Sequence, residues 1–478
     1  MYKIKLYQYF IPLGICLAVV SCAPTNVPLT ANATVPEAFT KNKETDTTNI
    51  AATPWRVYFK DPNLVNLIDT ALKNNQELQI TLQEIEIAKN DIRVKKGLLL
   101  PTVGIGAGAG IEKVGRYTSQ GAGDASTEIM PGKETPDPLK DFKIAAYTKW
   151  EVDIWKKLRN SKKAAVSRYL STVEGKNFVI TNLISEVADS YYELLALDSQ
   201  LEIVRKNIEL QSNALEVVKI QKEAARTTEL AVQKFQAEVM ASKSMEFDIL
   251  QNIKEAENKI NFLLGQYPQE IKRDRTNFMS LLPSAVNSGI PSQLLANRPD
   301  IKQAELELEA AKLDVKVARS EFYPSLDISA AIGFNAFKPS LLFTMPESLL
   351  YSLAGDLAMP LINRNAIKAE YSTANARQLQ ALYNYERTIL NAYLEVSTQL
   401  SKISNLEKSY DLRSQQVTAL NRSIDVAGDL FKSAKVDYFE VLMTQRDALE
   451  SNLELIDTKK EQLNASVMVY KDLGGGWK

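Results

Sequence analysis

Histidine is absent from all 478 residues. With it go the commonest general base and the commonest transition-metal ligand, which weighs against an enzyme. The two cysteines, Cys16 and Cys22, both sit near the N-terminus, so the body of the chain holds no disulfide framework and no thiolate metal site. Neither sign of charge is in surplus, with 57 Lys and Arg against 58 Asp and Glu, and nothing points to nucleic acid. Beyond Cys22 there is no uninterrupted apolar run of ~18 residues, the length a transmembrane helix needs. Proline and glycine are missing from Lys176 to Leu264, from Leu361 to Ala427 and from Asp429 to Leu473.

The N-terminus reads MYKIKLYQYFIPLGICLAVVSCAP. Its basic start (Lys3, Lys5), apolar stretch from Phe10 to Val20 and small residues before Cys22 resemble a bacterial signal peptide over 1–21. Val19-Val20-Ser21-Cys22 is similar to a lipobox, in which the cysteine becomes the lipidated first residue. An ordinary signal peptide with an incidental cysteine is the alternative. Ala23 after the cysteine, where other lipoproteins carry a retention Asp, favours outer-membrane sorting. Residues 22–52 are rich in Pro, Thr, Asn and Ala and read as an extended, lipidated tether, with order beginning near residue 53.

From there helices dominate. The breaker-free runs far exceed the usual helix of about 11–12 residues, and sixty helical residues extend about 90 Å. The stripe Ile301, Ala304, Leu308, Ala311, Val315, Ala318 alternates steps of three and four, the seam of a coiled coil. Shifting residues 74–101 onto 297–324 aligns eight identities in twenty-eight positions without a gap, among them Asn74, Asp91 and Pro101. So long a period indicates a duplicated half-protein, 53–283 and 284–478, rather than a solenoid.

In each copy the helix ends at a proline, Pro101 or Pro324, and a two-residue period begins. In "ARSEFYPSLDISAAIGF" (318–334), Leu326, Ile328, Ala330, Ile332 and Phe334 share one face. Strands are predicted at about 102–111, 142–153, 325–334 and 349–359, each of the length a tilted strand needs to cross a bilayer. Four strands cannot span lipid as an open sheet, because edge groups would go unpaired. Several chains are therefore required to close one barrel.

"LLANRPDIKQAELELEAAKLDVKVARSEFYPSL", "WEVDIW", "NFLLGQYP" and the terminal "GGGW", in that order, resemble the outer-membrane factor (TolC-like) family of tripartite efflux systems, in its lipoprotein NodT/OprM-type branch. The resemblance covers residues 53–478. It implies a mainly α fold with membrane β: a long α-helical coiled-coil barrel as periplasmic tunnel, plus four strands per chain completing a twelve-stranded trimeric outer-membrane β-barrel. It further implies a passive exit duct for small molecules (drugs, toxic compounds or metal ions), a homotrimer fed by a periplasmic adaptor and an inner-membrane pump of the RND type. No cofactor or metal is implied beyond the lipid on Cys22.

Periplasmic tips for adaptor docking are expected at Ala225, Arg226 and Thr227 and at Ala434, Lys435 and Val436. Family members often carry glycine where Ala225 and Ala434 stand. Asp437 and Glu440 have capping-box spacing for the helix returning from the second tip. Asp425 and Asp429, one turn apart, are gate candidates that would form stacked carboxylate rings in a trimer. Lys143, Lys149, Glu151, Asp153, Asp327 and Asp356 are expected to face the barrel lumen, with Trp150 on the outer surface. A type I protein-secretion duct and a non-conducting structural envelope lipoprotein are the competing readings.

Overall fold

The computed structural model describes residues 31–39, 49–275, 278–281, 283, 288–359, 364–433 and 435–477. Cys22, Ala434, the expected signal peptide and most of the expected tether lie outside these residues. Seven long helices carry the chain: α1 (Pro62–Asn74), α2 (Gln76–Gly97), α3 (Lys157–Glu223), α4 (Glu229–Leu263), α5 (Pro299–Ser320), α6 (Asn365–Lys432) and α7 (Tyr438–Asp472). Four main strands are β1 (Thr102–Glu112), β2 (Leu139–Val152), β3 (Ser325–Ala336) and β4 (Leu349–Ala358).

The duplication is carried through to element boundaries. α2 and α5 begin at 76 and 299, a shift of 223, and each has 22 residues. Each is followed by a short turn and then a proline, Pro101 or Pro324, immediately before its strand. α4 and α7 begin at 229 and 438, a shift of 209, and each has 35 residues. The missing 14 residues belong to the hairpin loops: 26 residues separate β1 from β2, and 12 separate β3 from β4. Extra length fell in the loop because a helix or strand cannot absorb an insertion without rotating its buried face.

Contacts divide the chain into two compact units, each drawing on both halves of the duplication. The first comprises Ile87–Tyr169 and Leu306–Leu382 among the described residues. It contains an antiparallel sheet of order β1-β2-β3-β4, in which β2 and β3, one from each half, are central. The loop between β1 and β2 adds a small hairpin, Glu128–Met130 with Lys133–Glu134.

The second unit comprises Ala31–Glu86, Leu170–Glu305 and Tyr383–Lys478. Its core gathers Leu64, Ile68, Val187, Tyr191, Leu194, Ile260, Leu264 and Tyr470. Tyr58 stacks on Tyr470 at 4.1 Å between ring centroids and donates to the Ser466 carbonyl at 2.8 Å. Tyr191 donates to Asp61 at 2.6 Å, while Asp61 accepts from the Asn63 N–H to start α1. Arg273, almost wholly buried, bonds Asp198 (3.0 Å) and Glu257 (2.8 Å). Burial alone would lower its pKa, but these two carboxylates hold it above the ordinary value.

Part of the expected tether is anchored. Residues 31–39 are extended, and Phe39 is buried against Tyr393 with ring centroids 5.7 Å apart. Tyr393 donates to the Ala38 carbonyl at 3.1 Å, and the Asn32 N–H to Glu386 at 2.8 Å. Composition alone marked this stretch as unstructured, but Phe39 gives it an apolar anchor on α6.

Candidate functional site

Register resolves the sheet into two faces. Across it run Ala107↔Ile144↔Phe334↔Leu349, Ile105↔Ala146↔Ile332↔Tyr351 and Trp150↔Ile328. Because directly paired residues share a face, this side is apolar in all four strands. It is also open: Val103, Ile105, Tyr351, Leu353 and Leu357 are all exposed, Leu353 by 79%. A contiguous apolar surface of this kind on a water-soluble sheet would be an aggregation site. The strands of 10–14 residues match the tilted span of a bilayer.

The opposite face is polar or bare. Lys143 pairs with Asn335 and Lys149 with Ser329, and Glu151, Asp327 and Asp356 form one cross-strand row. Five of the six residues expected on the lumen side are thus brought to one face. Like charges directly opposite repel, and Lys157 relieves this at Glu151 with an ion pair of 2.8 Å. The sixth, Asp153, corrects the expectation. It lies past the end of β2, where its carboxylate accepts from the Leu158 and Arg159 N–H groups (both 3.0 Å) and pairs with the Arg159 guanidinium (2.9 Å). It caps the entry into α3 instead of lining the sheet. Strand periodicity continued one residue too far, because alternation cannot register where the backbone turns.

Both junction prolines are braced by tryptophan. Trp150, on the apolar face, donates to the Leu99 carbonyl at 3.1 Å, two residues before Pro101. Trp155 donates to the Pro324 carbonyl at 2.8 Å and stacks on Tyr323 at 4.7 Å.

The two helical hairpins share one construction. α3 ends with Ala225 N–H donating to Lys222 and Arg226 N–H to the Gln221 carbonyl (2.9 and 2.8 Å), the bond pair of a Schellman motif. Ala225 occupies its left-handed position at φ 54. This fixes the turn that the missing glycine had left open. Thr228 then caps α4. In the second hairpin Lys435 N–H reaches the Leu430 carbonyl at 2.9 Å, the same long bond. Asp437 caps α7 through the Tyr438 N–H at 2.6 Å, and the Glu440 N–H donates to the Asp437 carbonyl. Arg226 and Lys435 are both exposed, and Thr227 and Val436 are both half-buried. Beneath them Leu215, Val218, Val232, Phe235, Val441 and Leu442 form one apolar cluster. Asp425 and Asp429 are exposed on α6, and Asp429 lies 3.5 Å from Lys432. The adjoining groove is lined by Thr418, Arg422, Val426, Leu430, Val436 and Glu440, and neither aspartate lines it.

Two glycines, one mid-chain and one in the terminal GGGW, form a second pair of helix stops. Gly265 and Gly474, again 209 apart, have φ of 66 and 90. A Cβ on Gly265 would stand 2.5 Å from the Asn74 carbonyl oxygen, and one on Gly474 2.6 Å from that of Asn297. Asn74 and Asn297 are themselves equivalent by the shift of 223, so one packing solution is used twice.

The family model of the outer membrane efflux proteins matches residues 67–266 and 290–475. The chain belongs to the outer membrane efflux protein family. The pyoverdine export outer membrane protein OpmQ of Pseudomonas aeruginosa is 28% identical over 468 residues, spanning 97% of this chain and 96% of OpmQ. The probable outer membrane lipoprotein SilC of Salmonella typhimurium is 26% identical over 93% of each chain. A crystal structure of CusC superposes with a TM-score of 0.82 at 24% identity, covering 95% of this chain and all of CusC. Like the other members of its family, this efflux protein is mainly helical with a four-stranded sheet.

Proposed function

We propose that the chain is one subunit of an outer-membrane exit duct in a tripartite efflux system, conducting small molecules passively from a periplasmic tunnel to the outside. The sheet carries this reading: its apolar face is exposed along β1 and β4, which are the edges, and at Ile332 of β3. Such a sheet is stable in lipid only when further chains complete it. Family membership supports a homotrimer and a twelve-stranded barrel, with an adaptor protein and an inner-membrane pump of the RND type as partners. Cys22 carries the lipid that tethers the N-terminus to the outer membrane. The tip residues Ala225, Arg226, Thr227, Ala434, Lys435 and Val436 dock the adaptor. Lys143, Lys149, Glu151, Asp327 and Asp356 line the channel, and Asp425 with Asp429 forms its acidic gate.

The relatives differ in cargo: OpmQ is named for pyoverdine export, CusC for cation efflux and TtgI of Pseudomonas putida for toluene efflux. Selection among compounds accordingly belongs to the pump. Purified full-length protein in planar bilayers tests the duct. Discrete conductance steps and a heat-modifiable oligomer on denaturing gels are expected. A monomer that leaves bilayer current unchanged would favour a structural envelope lipoprotein.

A further inference from the structure

The duplication supplies an internal comparison for a recess in the second unit. Asn207 on α3 donates to Ser242 on α4 at 3.2 Å, and the residues 209 further on, Gln416 on α6 and Ser451 on α7, repeat the contact at 3.1 Å. Further from the tips the two halves part. Lys402 on α6 is ion-paired with Glu461 on α7, whereas the equivalent residues on α3 and α4 are Glu193 and Asn252. A position that holds an ammonium group in one half holds a carboxylate in the other.

Glu193 and Asn252 both line a recess of about 510 Å³ between α3, α4 and α7. Three side-chain oxygens of its lining residues, Asp189 Oδ1, Ser190 Oγ and Asn464 Oδ1, are buried without a hydrogen-bond partner. Ser190 as a whole is only 3% exposed. An unpaired buried acceptor is unfavourable, and a complementary occupant relieves it. All three oxygens can accept and two of them cannot donate, so the fitting occupant brings N–H donors.

Charge and shape narrow the class further. The exposed Glu255 adds a second free carboxylate beside Asp189, while Glu193 is already paired with Lys460 at 3.1 Å. Lys259 is the single cation among the lining residues. Leu197 and Ala256, both buried, offer an apolar wall to a short carbon chain. Among the described residues no group of three or more Asp, Glu, Cys or His is arranged to hold a metal ion, so the donor set fits an organic ammonium better than a bare metal.

We propose that this recess binds a small organic cation, a short-chain primary alkylammonium, whose N–H donors take the place that the Lys402 side chain fills in the second half. The inference goes beyond the duct reading and does not depend on it. Isothermal titration calorimetry of full-length protein with n-propylammonium at pH 8 tests it. Saturable binding of one cation per chain is expected, with tetramethylammonium, which has the same charge and no N–H, binding at least tenfold more weakly. Glu193→Lys with Asn252→Glu transplants the Lys402–Glu461 pair and is expected to abolish binding. Asp189→Asn, nearly isosteric, is expected to weaken it about tenfold and reads the same site should the transplant fail to fold. Lys259→Met, the residue type at the equivalent position 468, is expected to tighten it. Equal binding of tetramethylammonium, or propylammonium binding unchanged in Asp189→Asn, overturns the proposal. So does the lack of saturable binding by the wild-type chain in both calorimetry and equilibrium dialysis of the radiolabelled amine.

Discussion

Ala225 holds a left-handed backbone that a β-carbon disfavours by about 1 kcal/mol, and no neighbour requires the methyl group there. Ala225→Gly is expected to steady the first tip, seen as slower amide exchange over residues 222–228; faster exchange would contradict the strain. A second local effect lies at Asp189, whose Oδ1 is buried with no partner. Burial raises its pKa from 3.8 to about 7, with Lys471 and Lys259 opposing. Between pH ~4 and ~7 the folded chain therefore keeps a proton that the unfolded chain has released, and stability falls as pH rises. Asp189→Asn is expected to raise the melting temperature at pH 8, by an amount equivalent to ~2–4 kcal/mol, and to leave it nearly unchanged at pH 4. An equal effect at both pH values would exclude ionisation as the cause.

Elements in this chain are terminated by specific devices, and the terminators recur in pairs. Three residues separate the ends of α2 and α5 from Pro101 and Pro324, which immediately precede the strands, and Gly265 and Gly474 end α4 and α7 against asparagine carbonyls. Gly474→Ala would force a methyl group onto the Asn297 backbone at a φ of 90, at a penalty of about 2 kcal/mol. It should lower the melting temperature by several degrees, while Gly97→Ala, where a Cβ would meet nothing within 4 Å, should not. The prolines could be recognised from sequence because the hydrophobic period changes at each of them. The glycines could not, since their reason lies in carbonyls 191 residues away for Gly265 and 177 for Gly474.

For the molecule as a whole, charge placement bears on conduction. The proposed gate makes the exposed Asp425 and Asp429 two rings one helical turn apart in a closed oligomer, which would favour cations. Asp425→Ala with Asp429→Ala is expected to change single-channel conductance and to weaken block by multivalent cations in planar bilayers. Unchanged block would place the gate elsewhere on α6. The Glu151–Asp327–Asp356 row is a second acidic level, on the polar face of the sheet, with one carboxylate already neutralised by Lys157.

The sequence by itself determined where helix gives way to strand, which strand residues share a face and that one half repeats the other. These follow from periods of 3.6 and 2, which are local, and from identities at a fixed shift. The four strands, the buried seam of Ile301, Leu308, Ala311 and Val315, and five of the six polar-face residues were legible on those grounds. Tertiary structure alone decided that Asp153 caps a helix, that Phe39 anchors part of the tether and that Gly474 seals a helix end. It alone revealed the second shift of 209. Those outcomes depend on which distant segments meet in space, and no local period encodes that.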